Sequence, residues 1–464
     1  MAKNIVLIYL PNSDGLPLAY AYLISNTDNK KYNITVFDLV LENTTPDTEE
    51  FKNRINDLNP EIIGITCRST EFYDALQVLK KIKEINPDIC TVMGGAHATS
   101  YPQITIANEE IDFLILSEAE FSFPAFLDEF FNKNPDYSRV DGLVYKNSNN
   151  EIISSPIKLI ENLDDIKFPD YNAVNIEEYI KQGYNYQLYN PNIKRNAPIW
   201  VTRGCPYRCA FCSVPLINGN KIRRHSIEYM IRWITFLYEE YNIRGFSIID
   251  DNFTFYTDYA KDFCKEVIKL SYNDVEFNTP NGVRMQRSDS ELWKLMKQAG
   301  WKGVTVAPES GSERVLKSMR KNLNVKEIPA IIKNIKKAGL KVRGFFMVGY
   351  PGETLEDLEK TKKLIKKCKF FNLSISYFQP MPGTPIYDEL VEKKEIHPDT
   401  MPALFDDKIK SYRSPTLAGV DLSRFRYKMG VYTSYLSSPM GYLKLILKVL
   451  KKPGKIVEGI SKIM

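Results

Sequence analysis

The sequence predicts an α/β protein: an N-terminal doubly wound parallel sheet, a partial (β/α)6 barrel, and a mostly helical C-terminal tail. Three observations predict it. Residues 1–135 alternate short apolar runs with segments of helical periodicity. A second alternation of the same kind fills residues 196–389. The stretch between, 136–195, is rich in Asn, Asp, Pro and Tyr and breaks the rhythm. Strand–helix alternation implies parallel pairing, because parallel neighbours need a crossover long enough to hold a helix.

The first five runs are Ile5–Leu10, Ile34–Phe37, Glu61–Thr66, Thr91–Met93 and Phe113–Leu116. Between the third and fourth, Phe72–Ile85 places Ala75, Leu76, Leu79 and Ile82 on one helical face. The linker holds one expected hairpin, Gly142–Ile153. The second series of runs is Ile199–Thr202, Gly245–Ile249, Glu276–Thr279, Gly303–Ala307, Val342–Val348 and Ser374–Phe378. Sheets and barrels of this kind bind ligands at the carboxyl ends of their strands. In the front domain those ends carry Pro11–Leu18, Thr66–Thr70 and Gly94–Thr99. Residues 390–464 read as irregular and then helical.

At 464 residues the chain exceeds one compact core. Its 44% hydrophobic and 26% charged residues are an ordinary soluble balance. A net charge of +5 spread over 62 basic and 57 acidic residues argues against a polyanion-binding surface, so no nucleic-acid partner is expected. The N-terminal apolar run is too short for a signal peptide, and no stretch approaches the roughly 18 apolar residues of a bilayer span. A cytoplasmic location is expected. The odd count of seven cysteines, three of them clustered, points to metal binding in a reducing compartment rather than disulfides.

That cluster is Cys205-Pro-Tyr-Arg-Cys209-Ala-Phe-Cys212, just after the first barrel run. Three thiolates on so short a loop can hold three corners of a [4Fe–4S] cube. The fourth iron then keeps an open position for a substrate, as catalytic metal sites do. A zinc site of the three cysteines plus His225 is the competing reading.

The loop resembles the cluster loop of radical S-adenosylmethionine (SAM) enzymes, including the aromatic Phe211 before the last cysteine. Four further stretches match in order: Ile249–Thr254, Glu309–Ser312, Gly344–Thr354 and Gln379–Pro385. The resemblance implies a [4Fe–4S] cluster on Cys205, Cys209 and Cys212. SAM would lie against the carboxyl ends of the strands. There Asp250 or Asp251 can accept hydrogen bonds from its ammonium, and Glu309 or Ser310 from its ribose. Gly349 lets the backbone approach closely.

Residues 1–135 resemble the cobalamin-binding domain that precedes the barrel in one large radical SAM class, which includes anaerobic magnesium-protoporphyrin ester cyclases and cobalamin-dependent methyltransferases. Ile65-Thr66, Met93–Thr99 and Ser117–Glu120 carry the match, with Val140–Tyr145 and Phe168–Tyr171 in the linker. Thr66, Gly94, Gly95 and His97 are the implied cobalamin contacts. Gly94-Gly95 also suits a tight strand-to-helix turn with no ligand, and His97 a backbone cap. None of the three histidines, His97, His225 and His397, follows the first strand, so the D-x-H-x-x-G cobalt ligand is absent.

The activity implied is a cobalamin-dependent C-methyltransferase on an unactivated carbon. A radical SAM cyclase, oxidase or rearrangement enzyme without methyl transfer is the alternative, and a non-catalytic iron–sulfur or corrinoid sensor a remoter one. Methylthiotransferases share this layout but carry three further cysteines in the front domain, where this chain has only Cys67 and Cys90. The expected partners are a small-molecule substrate and a reductant such as flavodoxin or ferredoxin. Residues 440–464 read as a basic amphipathic helix suited either to a membrane interface or to packing on the barrel. The first option favours a lipid or other hydrophobic substrate.

Overall fold

A computed structural model describes residues 2–10, 15–185, 187–398 and 412–436. The expected tail helix at 440–464 and part of the stretch Pro11–Leu18 therefore lie outside the described residues.

The front sheet has seven strands: β1 Lys3–Tyr9, β2 Tyr32–Asp38, β3 Ile62–Thr66, β4 Cys90–Gly94, β5 Phe113–Ile115, β6 Leu143–Lys146 and β7 Ile152–Ser154. Their order is β2-β1-β3-β4-β5-β6-β7. The first five are parallel, and the hairpin β6–β7 adds two antiparallel edge strands. The linker hairpin thus continues the front sheet, since β5 would otherwise expose an unpaired edge. Both faces of the parallel strands are buried, which is why β1 and β3 read as unbroken apolar runs. The order reverses at β1/β3, so the crevice beyond those two strands is the natural ligand site.

The barrel strands are β8 Asn196–Ile199, β9 Thr202–Arg203, β10 Arg223–Arg224, β11 Gly245–Ile248, β12 Glu276–Asn278, β13 Gly303–Glu309, β14 Lys341–Val348 and β15 Asn372–Tyr377. β8, β11 and β12 form one parallel set, and β13, β14 and β15 another. A bridge from Val283 to Val306 joins the two into a six-strand curve. β9 and β10 make a small antiparallel ribbon at the mouth.

The first barrel strand begins earlier than its apolar run suggests. Asn196 pairs with Gly245, and Pro198 is tolerated because β8 has a neighbour on one side only. Trp293, Trp301 and Phe277 fill the core behind β11 and β12. Cys264 and Cys368 are buried in this domain, as Cys67 and Cys90 are in the front sheet.

Candidate active site

The cluster loop leaves β9 through Gly204, whose φ of +92° and contact with Asn218 O leave no room for a side chain. The loop is pinned along its length. Cys205 N–H donates to Gly219 O at 3.1 Å, Ala210 N–H to Met319 O at 2.9 Å, and Ile386 N–H to Ala210 O at 3.0 Å. Cys205, Cys209 and Cys212 are half-buried, whereas the other four cysteines are buried. Burial pushes the Cys212 thiol up to about 12 and raises Cys205, each also feeling the charge of Cys209. Three neighbouring thiols on one anchored loop are a donor set suited to an iron–sulfur cluster, whose iron would displace their protons. His225 is engaged elsewhere. Its Nδ1 lies 3.1 Å from Asp164, and its ring stacks on Tyr229 at 4.1 Å. Among the described residues, no three His, Cys, Asp or Glu side chains converge on a single ion.

The structure divides the two candidate aspartates. Asp250 is 2% exposed and accepts from Val201 N–H at 2.7 Å, Thr202 N–H at 2.8 Å and the Thr202 hydroxyl at 2.8 Å. Burial drives its carboxyl well above the usual range despite those bonds. Its oxygens thus fasten the strand that leads into the cluster loop. Asp251 accepts from Gly204 N–H and the Asn218 amide, and both bonds fall on Oδ2.

Glu309 and Ser310 also part. β13 slips register between Val306 and Glu309, and Glu309 sits at φ +64°, a costly conformation for a residue with a side chain. This turn aims Glu309 at Lys321, 2.9 Å away, whose ammonium also lies 5.8 Å from the centre of the Phe211 ring. A largely buried ion pair therefore stands beside the loop that carries the three cysteines. Ser310 is fully buried and faces Thr361 of the helix Leu355–Cys368. Gly349, at φ +81°, donates its N–H to the buried Glu353 at 2.7 Å.

A cavity of about 380 Å³ runs from the switch point of the front sheet to the barrel mouth. Thr66, Gly94 and Gly95 line its sheet side, and Trp200, Arg203 and Asn218 its barrel side. It continues down the sheet face past Leu7, Gly64 and Val92, under the helix Leu18–Asn26. The cavity thus reaches from the strand ends of the front sheet to residues deeper along its face. Gly95, at φ +91°, also lets the β4 turn close over Cys67. His97 is fully buried behind this wall. Its Nδ1 lies 3.0 Å from Ser69, its ring packs 3.9 Å from Phe72, and burial lowers it to about 4.

The sequence reading missed the charges that close this interface. Arg203 (1% exposed) meets Glu120 at 2.5 Å and Glu118 at 3.4 Å, and Arg223 meets Glu118 at 2.6 Å. Arg203 also lies over Trp200 at 4.4 Å. Two acids in Ser117–Glu120, directly after a strand, and an arginine two residues before Cys205 were the available signal. Nothing in the sequence singled out Lys321.

The Radical SAM superfamily profile matches residues 199–365, and the B12 binding domain profile matches residues 6–127. An uncharacterized methyltransferase, PH0819 of Pyrococcus horikoshii, is 30% identical over 375 residues, covering 81% of this chain and 78% of its own length. Cytidylyl-2-hydroxyethylphosphonate methyltransferase of Streptomyces wedmorensis is 25% identical, with 82% and 79% covered. The fold matches that of the radical SAM methyltransferase TsrM from Kitasatospora setae, solved with cobalamin and a [4Fe–4S] cluster bound. The TM-score is 0.69 at 17% identity, over 84% of this chain and 75% of that one. The described residues contain no helix long and apolar enough to cross a membrane. The two profiles meet on the two faces of one cavity, and this chain belongs to the radical SAM enzymes that carry an N-terminal B12-binding domain.

Proposed function

We propose that the chain is a cobalamin-dependent C-methyltransferase acting on an unactivated carbon of a small molecule. The observation that supports it most is the cavity between the front sheet and the barrel mouth, with the strand leading to the cluster loop forming one wall. Methyl transfer to a carbon radical needs the methyl carrier and the radical source to face one substrate, and a domain interface supplies that arrangement.

In this reading Cys205, Cys209 and Cys212 hold the cluster. Thr66, Gly94 and Gly95 border the corrinoid. When bound, the cluster supplies the electron that cleaves SAM to methionine and a 5′-deoxyadenosyl radical, and the corrinoid carries the methyl group. The chain's own residues do the rest. Asp250 and Asp251 fix the loop's entry, and Asp251 offers Oδ1 to the SAM ammonium. Glu309 and Lys321 offer an acceptor and a cation for the polar groups of SAM beside the loop. His97 supports the front-domain wall from behind. The functional division follows residues 1–135, 136–195, 196–389 and 390–464, with the hairpin of the second segment serving the front sheet. A low-potential flavodoxin or ferredoxin supplies the electron in the cytoplasm.

Product analysis tests the reading. With reductant, SAM and substrate, methyl transfer yields both 5′-deoxyadenosine and S-adenosylhomocysteine. Deoxyadenosine alone means radical chemistry without methylation.

A further inference from the structure

The barrel has two ends. The carboxyl ends of its strands carry the cysteine loop, and the opposite end gathers strand starts and helix ends. On the β13–β15 side that opposite end is basic. The helix Ile328–Lys337 finishes in Lys336 and Lys337, and the helix Leu355–Cys368 has Lys366 and Lys367 in its last turn. β14 starts at Lys341, and Lys369 leads into β15. These segments are packed together. Lys336 Nζ donates to Cys368 O at 2.8 Å and to Lys369 O at 2.6 Å, and Phe371 N–H donates to Val342 O at 2.8 Å.

Lys337, Lys341, Lys366, Lys367 and Lys369 are exposed, and among the described residues none of the five forms an ion pair. Earlier on the same helix the lysines are paired, Lys360 with Glu356 and Lys362 with Glu359. The basic field stops towards β12, where Lys302 meets Glu276 at 3.6 Å. Lysines in a last turn answer the helix dipole, but Lys341 stands on a strand and has no such role. Beside it Phe371 is 46% exposed, its ring centre 4.7 Å from Lys341 Nζ. A large aromatic left in water among unpaired cations suits an anionic surface with an apolar layer beneath it.

The described chain also ends on this side. The helix Leu422–Val431 starts beside Gly349, just past the carboxyl end of β14, and leads to Tyr432, whose ring centre lies 5.6 Å from Lys366 Nζ. Residues 437–464, outside the described residues, contain six lysines and one acidic residue, Glu458. A segment of the same sign adds to the patch and cannot neutralise it.

We infer that the β13–β15 end of the barrel is a docking surface for anionic lipid membranes, where Phe371 enters the interface and the lysines meet lipid phosphates. An acidic protein would answer the charges alone. The exposed aromatic, and the apolar residues interleaved with lysines from Tyr442 to Leu450, favour lipid. Docked by this end, the barrel turns its cysteine loop away from the membrane.

The test is co-sedimentation of the full chain with vesicles of phosphatidylcholine alone, or of phosphatidylcholine with about one third phosphatidylglycerol. The protein binds the anionic vesicles, ignores the neutral ones, and is released by about 0.5 M salt. Replacing Lys337→Gln, Lys341→Gln and Lys367→Gln together lowers the partition coefficient on the order of a hundredfold. Phe371→Ser alone lowers it about tenfold. A control with Lys52→Gln, Lys80→Gln and Lys133→Gln removes the same charge from exposed, unpaired lysines of the front domain and keeps wild-type binding. Far-UV circular dichroism confirms the fold of each variant. Equal binding to both vesicles overturns the inference, as does binding that survives the triple substitution, or an equal loss in the control. Binding of an acidic protein such as flavodoxin in place of vesicles, abolished by the triple substitution, overturns the lipid assignment.

Discussion

Arg203, two residues before Cys205, bonds at 2.5 Å to Glu120, which extends from the front sheet. The contact is sealed: Arg203 is 1% exposed, and Glu118 and Arg223 complete a balanced set of two cations and two anions. The radical half of the enzyme is therefore fastened to the corrinoid half at the root of the cluster loop. Ser117, whose hydroxyl donates to Ile217 O, adds a second tie.

Neutralising one member leaves a buried charge uncompensated. Glu120→Gln is expected to destabilise the protein by about 3–5 kcal/mol, read as a lower urea midpoint. Iron content after reconstitution should fall as well, because the loop's root loosens. An unchanged midpoint would mean that the network contributes nothing to docking.

Cys209→Ala removes one corner of the donor set. The variant should keep the wild-type unfolding midpoint, since Cys209 is only half-buried, but lose the visible absorbance of the cluster and all 5′-deoxyadenosine. Retention of a full complement of iron and sulfide would show that the ligands lie elsewhere.

Glu353 makes stability depend on pH. Its side chain is fully buried and Oε1 has no hydrogen-bond partner among the described residues, so burial raises the carboxyl from 4.5 to about 7. Folding favours the neutral form. The contribution is complete below pH 4.5 and is lost as pH rises through 7. Glu353→Gln keeps an acceptor for Gly349 N–H without the charge. It should stabilise the protein at pH 8 by on the order of 3 kcal/mol and have little effect near pH 4. Equal urea midpoints for the two proteins at pH 8 would count against this assignment.

Gly95→Ala places a Cβ 2.9 Å from Cys67 O, in a backbone conformation of φ +91°. A loss of about 2 kcal/mol or more follows from strain at such a position. Hydroxocobalamin retention through gel filtration should fall with it. A variant that is destabilised yet binds the corrinoid normally would leave Gly95 a purely structural turn residue.

Sequence pattern exposed most of the scaffold because strands buried on both faces must be apolar throughout, as in Ile5–Leu10. The cysteine loop was legible because its chemistry depends on spacing within a few residues. The roles of Asp250 and Ser310 were not. A carboxylate or hydroxyl at a strand end looks the same whether it meets a ligand or the backbone of a neighbouring strand. Lys321 was hidden for a related reason: its partner Glu309 reaches it only because β13 slips register. The hairpin Gly142–Ile153 was visible as a hairpin, but nothing local says which sheet a hairpin joins.

The central claim is that three thiols on one loop hold a cluster that breaks the sulfonium of SAM. The most direct measurement is anaerobic reconstitution of the wild-type chain with iron, sulfide and hydroxocobalamin, followed by dithionite, SAM and quantification of nucleoside products. The account predicts a protein-bound [4Fe–4S] signal that changes when SAM is added, together with 5′-deoxyadenosine that forms only in the reduced sample. Intact SAM beside a folded protein that carries zinc, or no metal, would contradict it.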